Sequence, residues 1–219
     1  MVLKGRWETG ERDEVIHFLL NQTPGHGKMS ISLGELQVNM LLRGGSLVSL
    51  EVNGKPVRNL YEVKGVLLKI LERSTADFLI SNAPESRRGN LNLPFTALMM
   101  EVITLRDHIK AHAVRTEHRG EVLRLNGIPK GGDEEEFVRS LRLRYKNDIP
   151  MERLYRDYSH VSPDYLSYLI SRLKDKGYIS TVPLNGWGIP IHPVLLLLLV
   201  LLASAISGCV SVFLVFKAL

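Results

Sequence analysis

Cysteine is nearly missing from this sequence. Cys209 is the sole one in 219 residues, which excludes a disulfide within the chain and a thiolate metal cluster. Such usage suits a reducing cytosol. Aromatic residues make up only 7% and charged residues 23%, an ordinary globular balance. The net charge of +5 is too small to mark a nucleic-acid binder, although it suits an anionic membrane leaflet.

Catalytic signatures are missing as well. Gly25-His26-Gly27-Lys28-Met29-Ser30 brings Gly, Lys and Ser together, but Gln22 stands where a phosphate loop needs its first glycine and Met29 where it needs a hydroxyl. The segment reads as a turn entering a strand. His108 and His112 are four apart on one helix face, a metal-binding spacing, with His118 beyond. Ile109 replaces the glutamate of the zinc-protease pattern, so that hydrolytic machinery is excluded. Glu134, Glu135 and Glu136 are consecutive, diverge around a helix and cannot face one another as an acid-base pair. No nucleophile-elbow, dinucleotide or kinase pattern occurs. No cofactor is expected.

Charge is absent from Val194 to Phe216. As a helix rising about 1.5 Å per residue, this run would span roughly 35 Å against a hydrocarbon core of about 30 Å. The expectation is a C-terminal transmembrane helix, with Val194, Leu198, Leu202, Val210 and Phe216 as anchor residues. All but Lys217 of the 28 lysines and arginines precede the run, which places the N-terminal domains in the cytoplasm and the anchor in the cytoplasmic (inner) membrane. Small residues recur every four positions at Ala203, Ser207 and Ser211 and at Ser204 and Gly208, a face on which two helices could pack. Trp187, in the Pro- and Gly-rich segment 183–193, is expected at the membrane interface.

The remainder is predicted to be α+β. Val15, Ile16, Leu19 and Leu20 have helical spacing. Met29, Ile31 and Leu33, then Leu36, Val38, Met40 and Leu42, alternate as half-buried strands do, with turns at Gly34 and Arg43-Gly44-Gly45. A third run, Leu47 to Val52, ends at Asn53-Gly54, a tight-reversal dipeptide. A helix is predicted over 65–72, a strand over 76–81 and a long helix over 96–112. The order of Leu3-Lys4-Gly5-Arg6, the short helix, the Gly27–Ile31 strand, the hairpin to Gly54, the helix at Leu67–Leu71, Phe78 and the helix reaching Leu105-Arg106-Asp107 resembles the PatA-like N-terminal domain. That family is a bacterial domain often joined to signalling modules. The resemblance covers about residues 1–110 and implies a protein-interaction or signalling role.

Residues 113–132 read as a linker. A second domain over 133–182 opens with acid at a helix start, where it complements the helix dipole, followed by Phe137, Leu141 and Tyr145 on one face. Ser162-Pro163 is an N-cap and first helical residue, and Gly177 a C-cap. Tyr178 to Val182 fits a short strand. The three helices resemble the winged-helix plan, in which Leu166, Leu169, Ile170 and Leu173 face the core. Tyr165, Tyr168, Arg172 and Lys174 would then be exposed for nucleic acid or a partner. Asp164 and Asp175 offset the few cations, which favours a partner.

The composite expectation is an α+β meander with flanking helices, a winged-helix-like helical domain and one transmembrane helix. Its function would be that of a non-enzymatic, membrane-anchored cytosolic adaptor or scaffold for bacterial signalling or assembly, acting through protein contacts. It would contact lipid through its C-terminal helix and could form a homo-oligomer. The alternatives are a membrane-bound helix-turn-helix regulator and a metal-dependent enzyme or sensor using His108 and His112.

Overall fold

The computed structural model describes residues 2–8, 26–82, 89–111, 120–146 and 148–183. In chain order the elements are β1 (Val2–Trp7), β2 (His26–Leu33), β3 (Leu36–Arg43), β4 (Ser46–Val52), β5 (Lys55–Pro56), α1 (Leu60–Glu72), β6 (Ala76–Ser81), β7 (Leu93–Pro94) and α2 (Phe95–Ala111). They continue with β8 (Glu121–Leu125), α3 (Gly132–Arg144), β9 (Ile149–Pro150), α4 (Met151–Asp157), α5 (Pro163–Asp175) and β10 (Ile179–Pro183).

Period-two patterning builds the larger, antiparallel sheet, of order β1-β6-β2-β3-β4-β5 with β7 also on β4. Met29, Ile31 and Leu33 of β2, Val38, Met40 and Leu42 of β3, and Ala76 and Ile80 of β6 are buried on one face. On β4 the inward set jumps from Leu47 to Leu50, because a bulge opposite Leu41 and Leu42 inserts one extra residue. Asn53 and Gly54 both have positive φ, 49° and 76°, as the two-residue reversal between β4 and β5 requires. The Asn53 carboxamide also accepts from the Gln37 N–H at 2.7 Å. At the edge, Gly5 pairs with Phe78, and a methyl group on Gly5 would lie 2.4 Å from the ring. The ring instead covers the glycine and stacks on Trp7 with centroids 5.6 Å apart.

Helix α1 is buried almost all round, from Tyr61 to Leu68 and again at Ile70 and Leu71. Its apolar residues leave no face for solvent, so neighbouring elements cover it all round. The sheet's inner face, α1, α2 and the helices α3, α4 and α5 contribute to one continuous hydrophobic core. Beside the last three helices lies a small antiparallel sheet of order β10-β8-β9. Its central strand β8 comes from within the segment read as a linker.

The expected architecture requires correction. The described chain is α+β with mostly antiparallel sheet, and none of its five described helices is long and apolar enough to cross a membrane. The longest, α2, carries Glu101, Arg106, Asp107 and Lys110, charges that a bilayer core would not accept. The transmembrane helix expected over 194–216 is not among these elements, and that run lies outside the described residues. So does the short helix expected over 12–22.

Candidate functional site

Helix α5 is set by its two caps. The Ser162 hydroxyl accepts from the Tyr165 N–H at 3.2 Å, with Pro163 as the first helical residue. At the other end Gly177, with φ of 75°, lets its own N–H and that of Tyr178 reach back to the Lys174 and Leu173 carbonyls at 2.9 Å each. Ser162 also ties the helix to α1, donating from its N–H to the Gly65 carbonyl at 3.0 Å and from its hydroxyl to Glu72.

As the spacing predicts, Leu166, Leu169, Ile170 and Leu173 are buried. Tyr165 departs from its expected exposure. It is fully buried, its ring against Gly65 of α1 and its hydroxyl against Asp133 of α3. Its hydroxyl donates to the Asp133 carboxylate at 2.9 Å. Burial, followed by the charge of Asp133, raises the Tyr165 phenol well above its ordinary value.

Asp133 is shared with Lys64 of α1. The Lys64 ammonium donates to both Asp133 oxygens at 3.0 and 2.9 Å, and to Glu101 of α2. Side-chain exposure is 5% at Lys64, 20% at Asp133 and 56% at Glu101. Burial alone would lower the lysine, but its bonds to Glu101 and Asp133 outweigh it and hold the ammonium above its ordinary value. One buried cation thus joins α1, α2 and α3.

Outward from this anchor opens a cleft of about 280 Å³. Lys130, Gly131 and Gly132 form one lip where the chain enters α3, and Tyr168, Arg172 and Lys176 form the other. Leu105 and Leu169 supply apolar wall. Glu134 projects from the first turn of α3, one oxygen 2.8 Å from Arg172 Nε and the other 2.7 Å from Lys176 Nζ, with its side chain 13% exposed. The Tyr168 hydroxyl accepts from Arg172 Nη1 at 2.7 Å, and the guanidinium lies 5.5 Å from that ring's centroid.

A second polar cluster is enclosed between α1, α3 and the residues after α4. The Tyr61 hydroxyl lies 2.6 Å from Ser140 Oγ and 3.3 Å from the Tyr158 hydroxyl, while Ser140 Oγ lies 2.8 Å from Tyr158. Arg144 lies 4.6 Å over the Tyr158 ring, and His160 stacks on it at 6.0 Å. Burial, then the positive charges of Arg144, Lys69 and Lys55, pushes His160 down to about 4.

Of the partner-face residues, the structure brings Tyr165, Tyr168 and Arg172 to the cleft and leaves Lys174 out. Lys174 donates instead to Thr181 Oγ1 of β10 at 3.0 Å. His108 is exposed, its ring edge-on to Tyr168 at 5.8 Å, and His112 lies outside the described residues. Among the described residues no group of three or more potential metal ligands occurs. The anchor residues Val194, Leu198, Leu202, Val210 and Phe216 lie outside the described residues. The same holds for the packing residues Ala203, Ser204, Ser207, Gly208 and Ser211, and for Trp187.

The three adjacent glutamates do diverge. Glu134 takes the two cations, Glu135 accepts from Arg139 and the Gly131 N–H, and Glu136 accepts from the Leu60 N–H at 2.9 Å. Sequence reasoning missed Lys64, and the available signal was a lysine embedded in the apolar run Val63–Ile70, which demands a buried counter-ion. It also missed Asp133 and Glu134 as site residues, reading them only as dipole-complementing acids. In comparisons with known proteins, no protein family, curated protein or solved structure matches this chain.

Proposed function

We propose that this chain is a non-enzymatic adaptor that holds a protein partner at the inner face of the cytoplasmic membrane, with the cleft between α3 and α5 as its partner-binding surface. The observation that carries the reading is that Tyr168 and Arg172 line a real concavity and are held there by bonds to each other and to Glu134. Aromatic and arginine side chains that are orientated in advance are the usual anchors of protein interfaces. The membrane location is supported by the uncharged run from Val194 to Phe216 and by the lysines and arginines that precede it. The resemblance of residues 1–110 to the PatA-like N-terminal domain supports a signalling or assembly role. Homo-oligomerisation belongs to the same proposal.

The DNA-regulator alternative is not favoured, because Asp164 and Asp175 stand beside Arg172 and Lys174 on the same helix, which leaves that face little net charge for the phosphates of a duplex. A photo-crosslinking amino acid placed at Tyr168 in the full-length protein, expressed in cells, tests the adaptor reading. A discrete adduct from position 168, absent when the probe replaces exposed Leu143 at the far end of α3, is expected. No adduct from position 168, with the detergent-extracted protein running as a lone monomer, would overturn it.

A further inference from the structure

We infer that the partner enters this cleft as an acidic peptide segment, a carboxylate beside an apolar side chain, and that Glu134 occupies the carboxylate's place in the unbound protein. The inference rests on the adaptor reading above. Arg172 of α5 and Lys176 at its C-cap stand one turn apart and converge on the two oxygens of a single carboxylate, at 2.8 and 2.7 Å. Two cations meeting on one carboxylate form a receptor for that group whichever chain supplies it. Tyr168 fixes the guanidinium from the side, by its hydroxyl and its ring face. The guanidinium arm therefore stays in place when the carboxylate changes.

Charge complementarity selects the ligand class. Lys64 is shared between Asp133 and Glu101, so Asp133 counts with Glu134 against the cations of the lips. Lys130 lines the same cleft as Arg172 and Lys176 and is in no ion pair among the described residues. With Asp133 and Glu134 both counted against Lys130, Arg172 and Lys176, the cleft lining retains net positive charge. A basic segment would be repelled, whereas an acidic one exchanges with Glu134 and adds contact to Lys130. Leu105 and Leu169 offer an apolar wall for a neighbouring aliphatic side chain.

The test is selection from a display library of short random linear peptides on full-length protein in mild detergent, followed by fluorescence anisotropy with the recovered peptides. Enrichment of Asp or Glu beside aliphatic residues is expected. So is a loss of about tenfold in affinity for Arg172→Gln and for Lys176→Gln. Glu134→Gln removes the internal competitor, so binding should tighten about threefold or more; a purely structural ion pair would give no gain. Recovered peptides without acidic enrichment that still lose affinity in the Arg172→Gln variant would overturn the acidic class and leave the adaptor cleft standing. Peptides indifferent to both cation variants would overturn the cleft itself. Circular dichroism of each variant separates lost binding from lost folding.

Discussion

Val161 is packed onto Gly65 so closely that a methyl group at position 65 would stand 2.3 Å from Val161 Cγ1. This contact, with the Ser162 N–H bonded to the Gly65 carbonyl at 3.0 Å, is one of the places where the second half of the chain meets the central helix α1. A glycine in mid-helix costs about 1 kcal/mol relative to alanine, and here the close approach offsets that cost.

Gly65→Ala is therefore expected to destabilise by about 2 kcal/mol despite its better helix propensity. A lower urea midpoint measures the loss. Val161→Ala in the same chain should recover part of it, since the clashing methyl is then gone. An unchanged midpoint for Gly65→Ala would show that the two segments do not approach this closely.

Removing the buried cation leaves Asp133 with only the Tyr165 hydroxyl and takes from Glu101 its ion pair. Lys64→Met should cost about 2 kcal/mol, less than for a fully enclosed pair because Asp133 is 20% exposed. Lys64→Met combined with Asp133→Leu should cost less than the sum of the singles, as replacing both members by apolar groups removes the uncompensated charge. Additive losses in chemical denaturation would mean that the pair is uncoupled.

The N–H of Leu60 at the start of α1 is bonded to Glu136 at 2.9 Å, while Asn59, the residue at the cap position, makes no side-chain cap bond. Glu136→Ala should cost about 1 kcal/mol, and Asn59→Ala close to nothing. The reverse order in thermal unfolding would reassign the cap.

His160 is depressed from its ordinary value of 6.5 to about 4, by burial first and then by Arg144, Lys69 and Lys55. The unfolded chain thus binds a proton that the folded chain refuses. The stability from neutral His160 is complete above pH 6.5 and is lost as pH falls towards about 4. Glu72, raised by burial against its bond from Ser162, acts in the opposite sense and loses its contribution as pH rises above the ordinary carboxylate value. The difference between wild type and His160→Gln isolates the histidine, and the melting temperature of the variant should fall less between pH 7 and pH 5. Parallel pH profiles would contradict the burial of this imidazole.

What local sequence dictates is visible element by element. Alternation in Met29-Ser30-Ile31 and Val38-Asn39-Met40, the Asn53-Gly54 reversal and the Ser162-Pro163 and Gly177 caps each rest on physics confined to a few neighbouring residues, and each is found as expected. The start of α1 at Leu60 was not legible, because its acceptor is Glu136, far along the chain. Strand β8 was hidden for the same reason. Glu121–Leu125 becomes a strand by pairing with β10 and β9, not by its own turn signals.

The candidate site divides along the same line. The residue types of α5, with aromatic and basic groups beside an apolar stripe, were written in the sequence by helical periodicity. Which of them meet was decided only by tertiary packing. Lys64, Asp133 and Tyr165 come from three helices, and the buried Lys64 ammonium and Tyr165 hydroxyl, cut off from solvent, both find the Asp133 carboxylate. Glu134 lies far from Arg172 and Lys176 along the chain, and no local rule pairs them. The fold of α3 against α5 places one carboxylate between two cations and opens the cleft they share.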